Sequence, residues 1–145
     1  MVAIDAYTLP DIEYVLIQWL KVQGLSASTI GSQLPVDYNG SQAVVTIDRL
    51  GGSIDNRLPM YLDRARIDVS CYGVTKKTAY DLTSAVRKLI IRAYLDGNFM
   101  PWGTRVVNVL ELVGPQWLPE SEYDAAGRYL MQYEIHFHAL AQTSP

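Results

Sequence analysis

The sequence predicts an α+β domain, a mainly antiparallel sheet with two helices packed on one face. Two segments, 10–24 and 74–98, place apolar residues three and four apart, the spacing of an amphipathic helix. Several others alternate apolar and polar residues at period two, as half-buried strands do. The order is helix, two or three strands, long helix, two strands, so strands come in runs rather than one for each helix.

Taken in order, "LPDIEYVLIQWLKVQG" opens with Pro10 near a first helical turn, carries Asp11 and Glu13 at the positive end of the dipole, and stops at Gly24. Its stripe is Ile12, Val15, Leu16, Trp19 and Leu20. The Ser- and Gly-rich stretch that follows holds a weakly apolar run from Ile30 to Val36, which predicts a short strand, and a turn at "YNGS". "AVVTIDRLGG" predicts a strand with Val45 and Ile47 on one face and Val44, Thr46 and Asp48 on the other, closed by Gly51 and Gly52. "SIDNRLPMYL" then reads as a loop.

"DRARIDVSCYG" alternates over its whole length. Ala65, Ile67, Val69 and Cys71 line one face, and Arg64, Arg66, Asp68, Ser70 and Tyr72 line the other. The strongest helix follows, with Ala79, Leu82, Val86, Leu89, Ile90 and Ala93 in its stripe and Gly97 placed to cap its end. "TRVVNVLELVGP" predicts a strand ending at Gly114-Pro115, with Val107, Val109 and Glu111 opposed to Val106, Leu110 and Leu112. "QWLPESEYDAAG" reads as an acidic loop. "RYLMQYEIHFHALA" predicts a terminal strand with Tyr129, Met131, Tyr133, Ile135 and Phe137 inward and Leu130, Gln132, Glu134, His136 and His138 outward.

Composition narrows the function. A chain of 145 residues fits one domain, 1–145, and buries roughly 70% of its unfolded surface. Its charge of −3 lacks the basic footprint with which proteins grip nucleic acid. The single cysteine, Cys71, excludes an internal disulfide and sits on an inward strand face, as small buried thiols do. Neither a signal-peptide pattern nor an apolar run long enough to span a bilayer is present, so the expectation is neither a secreted precursor nor a membrane protein.

No catalytic or cofactor site emerges. The two histidines, His136 and His138, share a strand face without a nucleophile signature or a further zinc ligand beside them. Glu120, Glu122 and Asp124 lack the spacing of a calcium loop, and Gly51-Gly52 precedes neither the Lys-Ser/Thr nor the helix of a phosphate loop. Aromatic residues stand out instead. Tyr7, Tyr38, Tyr61, Tyr72, Trp102, Trp117 and Tyr123 fall in predicted loops or on faces turned from the core, and together they suggest an association surface. The mixed face of Arg64, Arg66, Asp68 and Tyr72 is the expected subunit interface, because the helices can cover only the other side of the sheet. The alternative is a sheet face wetted by solvent.

The succession "AVVTIDRLGG", "RARIDVSCYG", "TAYDLTSAVRKLI" and "RYLMQYEIHFHA" resembles the tail terminator (tail completion) proteins of long-tailed bacteriophages across nearly the whole chain. The most telling part is "DVSCYGVTKKTAYDLTSAVRKLI", an alternating strand running through a glycine into an amphipathic helix. This resemblance implies a homohexameric ring at the head-proximal end of the tail tube, in the virion. The ring would stop polymerisation of the major tail tube protein and present a surface to the head-tail connector or stopper protein, with DNA passing through. It implies no enzyme, cofactor or membrane, and it supplies no motif residues. Another neck or tail ring protein, such as a head completion protein or a tube subunit, is the nearest alternative. A small α+β enzyme is the alternative from a different class.

Overall fold

The computed structural model describes residues 7–96, 105–119 and 127–141. Its elements are β1 (Tyr7–Thr8), α1 (Ile12–Lys21), β2 (Thr29–Gly31), β3 (Val44–Ile54), β4 (Leu62–Tyr72), α2 (Lys76–Asp96), β5 (Val106–Pro119), β6 (Gly127–His138) and β7 (Leu140–Ala141). Five strands form one sheet in the order β2-β3-β4-β6-β5, antiparallel except for the β2–β3 pair. A second, two-stranded sheet joins β1 to β7.

Both helices lie on the same face of the main sheet, as expected. Ile12, Val15, Leu16, Trp19 and Leu20 of α1 share one buried cluster with Val86 and Ile90 of α2, Ile47 of β3, Ile67 and Val69 of β4, and Met131, Tyr133, Ile135 and Phe137 of β6. The stripes fit because the apolar residues of each helix recur on one side and those of each strand alternate toward it. Asp11, not Pro10, starts α1: its carboxylate accepts the Glu13 and Tyr14 amides at 3.1 and 3.3 Å. Cys71 is fully buried beneath α2, and burial pushes its thiol pKa up to about 12.

Several expectations need correction. β3 does not close at Gly51-Gly52 but bulges there and pairs again as far as Ile54, so "SIDNRLPMYL" is partly strand. Gly51 and Gly52 both have φ above +90°, and a Cβ on Gly52 would run into the Arg64 carbonyl. β5 likewise runs through Gly114-Pro115 to Pro119. It is an edge strand, where a proline can turn its missing donor outward, and its register shifts three times. One of those shifts brings Val106 and Val109 to the same inward face, where alternation had opposed them. β2 is shorter than the run Ile30–Val36, and β1 with β7 carried too few residues for a periodic signal. The Gly97 cap, Trp102, and the loop with Glu120, Glu122, Tyr123 and Asp124 lie outside the described residues.

Candidate functional site

With the helices on one side, the sheet's other face is left open, and the expected interface residues lie on it. Register places Arg64 opposite His136, Arg66 opposite Glu134, Asp68 opposite Gln132 and Tyr72 opposite Arg128. On the other side of β4, Asp68 faces Asp48 of β3 and Ser70 faces Thr46. These are cross-strand neighbours on one surface, so their charges act on one another directly.

One end of this face is covered by the chain itself. The segment between β2 and β3 lies along this face, where Ser32, Gln33 and Leu34 line a hollow with Thr46, Ser70 and Tyr72, and Val44 is fully buried although its alternation turns it from the helices. Tyr38 of that segment meets Tyr72 edge-on at 5.5 Å between ring centroids, and the Tyr72 hydroxyl accepts a hydrogen bond from Arg128 Nη1 at 3.1 Å. Tyr72 is consequently 7% exposed. Its contacts within the subunit are thus to the covering segment and to β6.

The remainder is open. Arg66 and Asp48 are exposed, Arg64, Asp68 and Glu134 are half-buried, and leucines stand among them: Leu50 is 51%, Leu110 42% and Leu112 39% exposed. Leu50 and Leu112 flank a hollow of about 190 Å³ with Arg66, Asp68 and Gln132 at its base. Burial raises the Asp68 carboxyl pKa from its ordinary value, reinforced by the charge of Asp48 and opposed by the neighbouring Gln132 amide and the charge of Arg128. Nearby, Arg64 Nε and His136 Nε2 are buried without a hydrogen-bond partner among the described residues. Such groups cost free energy until an acceptor or donor reaches them.

On the helix side, Arg87 of α2 grips Glu111 of β5 through two bonds of 2.7 and 2.8 Å, and the buried Tyr133 hydroxyl donates to the same carboxylate at 3.1 Å. That guanidinium, more than any other contact, lowers the Glu111 pKa. The trio ties helix to sheet and exposes no nucleophile. A larger groove of about 690 Å³ beside α2 has Leu25, Val74, Leu82, Ala85 and Leu89 in its walls, with Asp81, Lys88 and Arg92 also lining it, and brings no histidine or cysteine together with them.

The other singled-out residues are dispersed. His138 stacks edge-on against Tyr61 at 4.9 Å, and burial, aided by the charge of Arg105, lowers its pKa. His136 Nε2 stands 3.5 Å from Glu134 Oε1. Among the described residues no three His, Cys, Asp or Glu side chains converge as metal ligands. Trp117, expected in a loop, lies in β5, where Tyr129 contacts it at 5.1 Å and Lys76 sits 5.3 Å from its ring. Asp48 was expected on this outward face but not as part of a site, and Leu50 and Leu112, which lie at register shifts, were not expected there.

The sequence model of a family described as phage tail termination protein matches residues 8–139. No curated protein matches the chain.

Proposed function

Because the chain belongs to the phage tail termination family, we propose that it closes the head-proximal end of the tail tube as a ring of six identical subunits. The family gives a structural role in terminating the phage tail, exercised against other tail or head proteins. The ring's partners are the major tail tube protein on one side and the head-tail connector or stopper on the other.

The observation that carries the interface is the bare sheet face. Arg64, Arg66 and Asp68 lie against the neighbouring subunit, where paired charges fix the register between identical chains more than they add affinity. Two features support this. Arg64 Nε is buried without a hydrogen-bond partner among the described residues, and exposed leucines interrupt the charges as they do in interfaces rather than on wetted faces. Each subunit uses two different patches, since a head-to-tail contact closes a ring when its rotation permits. The acidic balance of the chain, −3, suits a channel that passes DNA without holding it.

The test removes the chain from particle assembly. Tubes of uncontrolled length and heads without tails are expected, and adding back the purified protein restores joined particles. Tails of normal length joined to heads in its absence would overturn the proposal.

A further inference from the structure

A head-to-tail junction on the open sheet face needs a complementary surface elsewhere on the same chain, and α2 offers one. Lys88, Ile91, Arg92 and Leu95 are spaced i, i+3, i+4 and i+7, so they form one stripe along the helix. All four are exposed, Ile91 at 39% and Leu95 at 75%. Neither Lys88 nor Arg92 makes a hydrogen bond or ion pair with another described residue. The stripe is therefore apolar at its crest, positively charged beside it, and its cations form no hydrogen bond or ion pair among the described residues.

The open face carries the matching features. Asp48 and Asp68 stand directly opposite each other on adjacent strands, a like-charged pair on which the charge of Arg128 already acts at Asp68 and which further cations would stabilise. Beside the pair, the hollow between Leu50 and Leu112 has room for one large side chain.

We propose that the Lys88–Leu95 stripe of one subunit docks on the open sheet face of the next, Leu95 entering the hollow between Leu50 and Leu112 and the two cations reaching Asp48 and Asp68. The occupant is a second copy of this chain. The assignment rests on the ring reading and names the surface that completes it. The helices and the bare face lie on opposite sides of the subunit, so this contact repeats in one direction, as ring closure requires. Leu95 and Arg92 would be the central anchors.

The test is a charge exchange in the full chain. One variant carries Asp48→Lys and Asp68→Lys; the other carries Lys88→Glu and Arg92→Glu. Alone, each sets like charges against like at every junction, and light scattering should report loss of the wild-type assembly. Mixed in equal amounts, they match at both kinds of junction in an alternating ring, and the assembly should return. Leu95→Asp, at an exposed site that leaves folding intact by circular dichroism, should raise the concentration at which the assembly dissociates by at least about tenfold.

Assembly of either charge variant alone as in wild type, a mixture of folded variants that stays dissociated, or an unchanged Leu95→Asp would overturn the docking assignment. In those cases the wild type still assembles and the ring reading stands. A wild-type chain found as a monomer within purified particles would overturn both.

Discussion

Arg49 and Asp63 form a two-bonded ion pair between β3 and β4, Nη1 to Oδ2 at 2.8 Å and Nη2 to Oδ1 at 2.9 Å, with the Asp63 side chain only 4% exposed. Arg49 also donates its amide to Glu13 Oε2 of α1 at 3.0 Å and its Nε–H to the Gly51 carbonyl at 2.9 Å. One residue thus joins helix, bulge and the neighbouring strand. Arg49→Met would leave the Asp63 carboxylate buried and unpaired. The expected loss is about 2–3 kcal/mol, below that of a fully buried pair because Arg49 is partly solvated. Urea unfolding checks it, and Arg49→Met combined with Asp63→Leu should recover much of the loss.

The bulge is a second point of leverage. Gly52→Ala places a methyl group against the Arg64 carbonyl at φ +93°, so neither the space nor the backbone conformation suits it. A destabilisation of about 2 kcal/mol or more is expected in thermal or urea unfolding. Gly51→Ala has open space around it and meets only the unfavourable φ of +96°, so it should cost less.

These two sites show where sequence reasoning succeeded and where it stopped. The stripes of α1 and α2 and the inward faces of β4 and β6 were legible because long periodic runs record burial directly. The bulges in β3 and β5 were not, since a glycine pair or Gly-Pro ends most strands and only pairing with a neighbour shows that the strand resumes. Asp63 shares parity with the inward Ala65 and Ile67, but nothing local identified Arg49 as its partner. Tyr72 carried outward parity correctly. Its burial depends on the 32–43 segment folding back, a long-range contact without periodicity.

In the proposed interface, Asp68 would link subunit stability to assembly. Its folded-state pKa is raised above the unfolded value, chiefly by burial, so the native state favours the protonated acid. Stability from this group therefore falls as pH rises from the ordinary carboxylate range through the folded pKa. Asp68→Asn removes that loss and the repulsion with Asp48, and should stabilise the subunit at neutral pH by a few tenths to about 1 kcal/mol. The same change should weaken assembly. Melting temperature and light scattering on one sample, moving in opposite directions, would separate the two effects.

Cys71 supplies a probe of the fold. With its thiol pKa at about 12 and its side chain fully buried, it carries almost no thiolate at pH 8. A disulfide reagent should react with the native protein only as fast as the subunit opens, and rapidly once urea unfolds it. Prompt stoichiometric reaction under native conditions would contradict the burial of β4 beneath α2.

The most direct test of the open face as the ring's contact surface is electron microscopy of tails assembled with Arg66→Glu. Arg66 is exposed and makes no hydrogen bond or ion pair with a described residue, so the substitution should leave the subunit folded. It replaces the guanidinium that the proposed interface would pair with an acceptor on the neighbouring subunit, and it sets a carboxylate beside Glu134, its cross-strand partner. The account predicts tails of uncontrolled length, or tails that fail to join heads. Normal tails joined to heads would contradict it and leave the face to solvent.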